Sequence, residues 1–158
     1  MRLQFGKQEQ TQAGRPRTGA RRDLRQERFK AYFPRLFAFA SYATADDEAA
    51  REVCVTAFSN VFALPDMREP EFEVALFRAA RDLCNSGEHR ARHDDGLTPR
   101  EREVISLVFD AQLELPKVSE LLGIKADSVS LALTRGLRKL RVSLAPESAA
   151  GTAMPTFG

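Results

Sequence analysis

The chain has 158 residues, 43% of them apolar, with a formal charge of +2; this is enough for one ordinary domain or two small helical ones with a real core. Two cysteines, Cys54 and Cys84, exclude a disulfide framework and point to a reducing cytosol. No apolar run is long enough to span a bilayer and no signal-peptide core follows the N-terminal arginines, so a soluble, cytoplasmic protein without membrane contact is expected.

Charge is arranged in blocks. Residues 1–30 carry nine Lys/Arg against three acids, residues 46–76 eight acids against two Arg, and residues 117–141 six Lys/Arg against two acids. Basic ends around an acidic middle suit contact with a polyanion at some places and with a basic protein surface at another, although solvated helix faces give the same pattern.

Residues 1–22 are rich in Gln, Gly, Thr and Arg and nearly devoid of apolar side chains, so a disordered basic segment is expected there. From Asp23 to Ala43 the residues Phe29, Tyr32, Phe33, Leu36, Phe37, Phe39 and Ala40 follow a helical period, and Pro34 within it predicts a kink or a new helix starting near Phe33. Thr44 and Asp47 offer a capping box for a helix to about Phe62, with Ala50, Val53, Cys54, Ala57, Phe58 and Val61 inward. Leu64 to Pro70 reads as a loop. A third helix runs from about Glu71 to Asn85 with Phe72, Leu76, Phe77, Ala80 and Leu83 inward, and Gly87 ends it.

The most organised stretch is Leu97 to Leu144. Thr98, Pro99 and Glu101 form a capping box with proline at the first helical position, and Val104, Ile105, Leu107 and Val108 give that helix an apolar face. A short helix at Pro116–Leu122 ends on Gly123, which suits a left-handed turn that Ile124 plugs. Asp127 or Ser128 can cap the last helix, where Val129, Leu133, Leu137 (or Gly136), Leu140 and Leu144 face inward. Lys125, Ser128, Ser130, Leu131, Thr134, Arg135 and Arg138 then face outward, where a recognition helix would meet a major groove. No strand pattern and no internal repeat is found. The expected fold is all-α: a helical domain at 23–85, a linker at 86–96, a helix-turn-helix domain at 97–145 and a disordered tail at 146–158.

Leu97 to Leu144 resembles region four of bacterial sigma factors of the extracytoplasmic-function (ECF) group. The opening LTPREREV is equally like the DNA-binding domain of LuxR-type regulators, but the arginine-rich ending LTRGLRKLRVSL is closer to sigma region four. The preceding pieces YFPRLFAFA, DDEAAREVCVTAFSNVF and FEVALFRAARDLCNS resemble sigma region two in the same order. The resemblance implies a transcription initiation factor whose partners are RNA polymerase core and promoter DNA. It implies a polymerase-binding helix with Asp47, Glu48, Glu52, Val55 and the apolar anchor Phe58. It also implies a promoter-opening helix with Arg78, Arg81 and Asn85, and a recognition helix with Lys125, Ser128, Ser130, Thr134, Arg135, Arg138 and Lys139.

Several positions depart from the family pattern. Val55 stands where a glutamine is usual and reads as a buried residue that can neither donate nor accept. Ala75 replaces a tryptophan. Ser130 and Ala132 stand where a lysine and an arginine are common, with Leu131 between them, so guanine contacts usually worth about 1–3 kcal/mol each are missing. Arg135, Arg138, Lys139 and Arg141 remain for the phosphate backbone, where they position rather than specify. The linker, Ser86 to Gly96, reaches roughly 36 Å when extended, against about 70 Å between two promoter elements two helical turns apart.

These departures motivate a second reading, a sigma-like protein-interaction module that binds an anti-sigma factor or another regulator. A LuxR-type DNA-binding regulator is a third. Cys84, His89, His93 and Asp94 invite comparison with a metal site, but their spacing matches no common zinc pattern and a polar linker explains them better. No phosphate-binding glycine loop and no nucleophile beside a histidine is present, so neither enzymatic activity nor a cofactor is expected.

Overall fold

The computed structural model describes residues 18–88 and 90–145. Among them lie six helices and no strand: α1 (Thr18–Thr44), α2 (Asp47–Phe62), α3 (Glu69–Ser86), α4 (Pro99–Phe109), α5 (Leu115–Leu122) and α6 (Ala126–Leu144). The fold is all-α. No helix among the described residues is long and apolar enough to cross a membrane.

The helix α1 begins at Thr18, so positions 18–22, expected in the disordered segment, are helical. That first stretch is tied down where Arg21 pairs with Asp66 at 3.3 Å and Arg25 donates to the carbonyl of Phe62 at 2.7 Å. The expected disorder of residues 1–17 and 146–158 lies outside the described residues. Pro34 sits inside α1 and no new helix starts at Phe33. Tyr32 before the proline and Leu36, Phe39 and Ala40 after it are all buried, so packing holds one helix across the missing hydrogen bond.

The first three helices pack on one another around an aromatic seam. Phe29 lies against Phe58 at 4.9 Å between ring centroids, Phe58 against Phe62 at 5.6 Å, and Phe62 against Phe72 at 5.7 Å. Arg28 stacks over Phe72 at 4.3 Å while it donates to the Met67 carbonyl and to Glu69. The cap of α2 is Asp46 rather than the expected Thr44–Asp47 pair: its carboxylate accepts from the amides of Glu48 and Ala49. Thr44 is buried and its hydroxyl donates back to the Ala40 carbonyl at 2.8 Å. The helix α3 starts at Glu69, two residues before the expected start at Glu71, because Pro70 falls in the first turn where a missing N–H costs nothing.

In the C-terminal half the capping box at Thr98 is reciprocal. The Glu101 amide donates to Thr98 Oγ1 at 3.2 Å and the Thr98 amide to Glu101 Oε2 at 2.9 Å. Gly123 ends α5 with φ +64, and Ser119 binds both the amide and the carbonyl of Ile124 across the turn. Lys125 takes the N-cap position of α6 without a side-chain bond, so neither Asp127 nor Ser128 caps it as expected. Val104, Leu107, Ala111, Leu113, Val118, Leu121, Val129 and Ala132 fill the core of this half. Of the alternatives Gly136 and Leu137, the structure turns Gly136 inward: a Cβ there would lie 2.6 Å from Ile105 Cδ1. Leu137 and Leu144, both expected inward, are exposed, because the close α4–α6 approach centres the buried face on Val129, Ala132 and Gly136.

The two halves lie against each other, α5 on α3 and α4 on α1. Glu73 of α3, buried with its side chain only 7% accessible, is held by Arg35 of α1 at 2.6 Å and by Lys117 of α5. Arg35 also donates to the carbonyls of Ala111 at 2.8 Å and Gln112 at 3.2 Å, and lies over the rings of Tyr32 and Phe77. Further along, Arg81 pairs with Glu103 and Arg78 donates to the Glu120 carbonyl at 3.3 Å.

Candidate nucleic-acid interface

The outward face of α6 follows from helical spacing. Leu131, Arg135, Arg138 and Val142 recur every three or four residues and all four are exposed, with Thr134 beside them. Lys125, Ser128 and Ser130 are exposed at the start of the same helix. The structure thus gathers Lys125, Ser128, Ser130, Thr134, Arg135 and Arg138 on one accessible element.

Lys139 is different. Its ammonium is bonded at 2.8 Å to Glu101, whose carboxylate also closes the Thr98 box. The charge of Lys139 and the amide of Thr98 both hold the Glu101 carboxyl below its ordinary value. Lys139 therefore first serves the junction of α4 and α6.

The outward stripe of α6 begins and ends on apolar side chains. Leu131 is 50% exposed and Val142, at the far end of the stripe, 73%. Ala132 is buried against the core, so the arginine common at that position in the resemblance would have no room to reach outward.

On α3, Asn85 is exposed and borders a cleft of about 550 Å³ between the halves, together with Tyr42, Cys84, His93 and Arg100. Arg81, which lines the same cleft, is paired with Glu103, while Arg78 on the same face donates to the Glu120 carbonyl and stays exposed. On α2, Asp47, Glu48 and Glu52 are exposed. Val55, expected to be buried, is 59% exposed. Phe58, expected on the inward face of this helix and as its apolar anchor, is only 3% exposed and locked between Phe29 and Phe62, so it shapes the inner face of α2.

The linker residues have structural partners. His93 stacks on Tyr42 at 4.4 Å, and its Nε2 lies 3.0 Å from the Tyr42 carbonyl. The Arg102 guanidinium, bonded to Asp95 at 2.6 and 3.1 Å, draws that carboxyl down to about 2 despite partial burial, and the Leu97 amide adds to the effect. Cys84 is buried, and burial pushes its thiol up to about 11, as it pushes Cys54 to about 12. Asp94 is exposed and His89 lies outside the described residues; no cluster of three metal-binding side chains occurs among those described.

With the capped α4, the tight Gly123 turn and the exposed basic α6 in place, the decisive comparison is with protein families. Residues 95–142 match sigma-70, region 4. The matched region 4 segment runs from the Asp95–Arg102 clasp to the C-terminal turn of α6, under half of the chain, and carries a sigma-like role in DNA binding and RNA polymerase interaction. No curated protein matches the chain.

Sequence reasoning missed Arg35, Glu73, Glu103 and Lys117, the charges that join the halves. A signal was available for two of them. Arg35 and Glu73 each have apolar neighbours on both sides, Pro34 and Leu36 for one and Phe72 and Val74 for the other, and such isolated charges within a buried pattern are normally paired.

Proposed function

We propose that the chain is a sigma-like transcription initiation factor of the extracytoplasmic-function kind, in which residues 23–85 act as region two. The exposed side of α2, with Asp47, Glu48, Glu52 and Val55, meets RNA polymerase core. The outward face of α6 meets promoter duplex, and α3, with Arg78, Arg81 and Asn85, meets the opened strand. The protein works in the cytoplasm, as an adaptor without catalysis of its own or a cofactor.

The observation that carries this reading is the region 4 match on a helix-turn-helix whose last helix presents Arg135 and Arg138 to solvent. Arginines so placed neutralise phosphates and orient the helix on DNA. The test is co-elution of the purified protein with core polymerase from the same organism, followed by transcription on genomic fragments. Association with selective initiation is expected; a folded protein that does not associate where an ordinary sigma factor does refutes the proposal.

A second reading, a sigma-like module that binds an anti-sigma factor or other regulator, is favoured by one observation: Leu131 is half exposed between the two positions where base-reading cations are common. Leu131→Asp separates the two. Under the second reading it abolishes a protein complex and spares the fold, whereas under the first it changes DNA binding and leaves protein association intact.

A further inference from the structure

The cleft beside Asn85 opens at one edge of the seam between the halves, and its volume of about 550 Å³ is that of a small-ligand site. Four arginines, Arg81, Arg90, Arg100 and Arg102, line it against one acid, Glu103. Two of the four are committed to the fold. Arg102 is held by Asp95 and by the carbonyls of His93 and Leu97, and Arg81 by Glu103. The other two are open to a ligand. Arg90 is exposed and has no carboxylate partner among the described residues. Arg100, with its side chain 46% exposed, reaches only the Glu103 that Arg81 already engages, at 3.5 Å. Pro99 has no N–H and Thr98 Oγ1 takes that of Glu101, so the Arg100 amide is the remaining donor in the first turn of α4.

The same lining carries an aromatic platform. Tyr42 and His93 stack at 4.4 Å with their planes 20° apart, and both are half-buried at the cleft wall. Asn85, exposed at the rim, offers an amide that both donates and accepts. Guanidinium groups for phosphate, a ring stack for a planar heterocycle and an amide for its polar edge are together the contacts that hold a nucleotide.

We propose that this cleft binds a free nucleoside polyphosphate, with the phosphate chain on Arg90, Arg100 and the Arg100 amide and the base on the Tyr42–His93 stack. Two open guanidinium groups and a backbone donor match several phosphate oxygens better than a single phosphate. The proposal is independent of the role given to α3: of the contacts named, Asn85 alone is also assigned to opened DNA. Because Tyr42 belongs to α1, Arg90 and His93 to the linker and Arg100 to α4, a bound nucleotide touches both halves and stabilises the folded chain by mass action.

The test titrates ATP and GTP into the full chain by isothermal calorimetry, with adenosine and inorganic tripolyphosphate as base-only and phosphate-only probes, and follows the melting temperature with each. The expected result is that a nucleotide binds about tenfold or more tightly than either half-probe and raises the melting temperature. Arg90→Ala combined with Arg100→Ala, both at exposed side chains, should weaken it about tenfold or more, and Arg90→Lys with Arg100→Lys should recover part of the loss. Arg92→Ala removes the same charge from the same linker but outside the cleft lining, and should leave the affinity unchanged.

Absence of heat and of a thermal shift with both nucleotides at millimolar concentration overturns the proposal, and so does undiminished binding to the double Ala variant. Tripolyphosphate that binds as tightly as ATP overturns the nucleotide assignment and leaves an anion site only. A short single-stranded oligonucleotide that displaces ATP at equal or lower concentration overturns the free-ligand assignment, because the cleft then belongs to the path of a strand. Co-elution with core polymerase, followed on the same variants, reports the proposed function separately: its failure with nucleotide binding intact refutes that reading alone.

Discussion

Replacing Glu73 by Gln tests the charge cluster at the seam. The glutamine keeps the shape and one acceptor oxygen but removes the charge that answers both Arg35 and Lys117. Removing one partner of a fully buried ion pair costs about 3–5 kcal/mol. Here the Arg35 and Lys117 side chains retain 21% and 29% of their exposure, and Arg35 keeps two carbonyl acceptors, so a loss of about 2–3 kcal/mol is expected. Urea denaturation followed by circular dichroism at neutral pH measures it. The pH dependence is the sharper check. Burial alone would raise the Glu73 carboxyl, but hydrogen bonds from Lys117 and Arg35 and their charges outweigh it and hold it below its ordinary value near 4.5. A depressed folded pKa contributes stability that is fully present above the unfolded pKa and is lost as pH falls through the folded one. The gap between wild type and Glu73→Gln should therefore narrow in acid, where both side chains are neutral. A gap under about 0.5 kcal/mol at neutral pH, or one that does not narrow in acid, refutes the reasoning.

Asp95→Asn acts by the same sign. Its carboxyl titrates at about 2 against an ordinary 3.8, so stability from the Arg102 clasp is present above pH 4 and lost as pH falls toward 2; after allowance for solvent screening the variant loses about 1 kcal/mol at neutral pH, read from the denaturation midpoint. Gly136→Val drives a branched side chain into Ile105, 2.6 Å from the new Cβ, and into Glu101, 3.3 Å away, and should cost about 2 kcal/mol or more of stability by the same assay. Arg135→Ala and Arg138→Ala should each weaken duplex binding nearly uniformly across sequences and reduce the slope of log affinity against log salt by about 1; a selective loss at one sequence would show base reading instead.

The C-terminal half was legible because its signals are local. Thr98, Pro99, Glu101 and Gly123 each specify backbone geometry within a few residues, and all four do what their spacing predicts. Apart from the caps of α2 and α6, the misreadings came where a residue's fate depends on a distant partner. Val55 is one position from the buried Cys54, and hydrophobicity alone does not report the hundred-degree turn that puts it outside. Pro34 predicts an interruption by local rules, yet the buried residues on either side keep α1 whole. The seam was the least legible feature. Arg35 and Lys117, like Arg81 and Glu103, are far apart in sequence, and no periodicity links charges that meet only after both halves have folded.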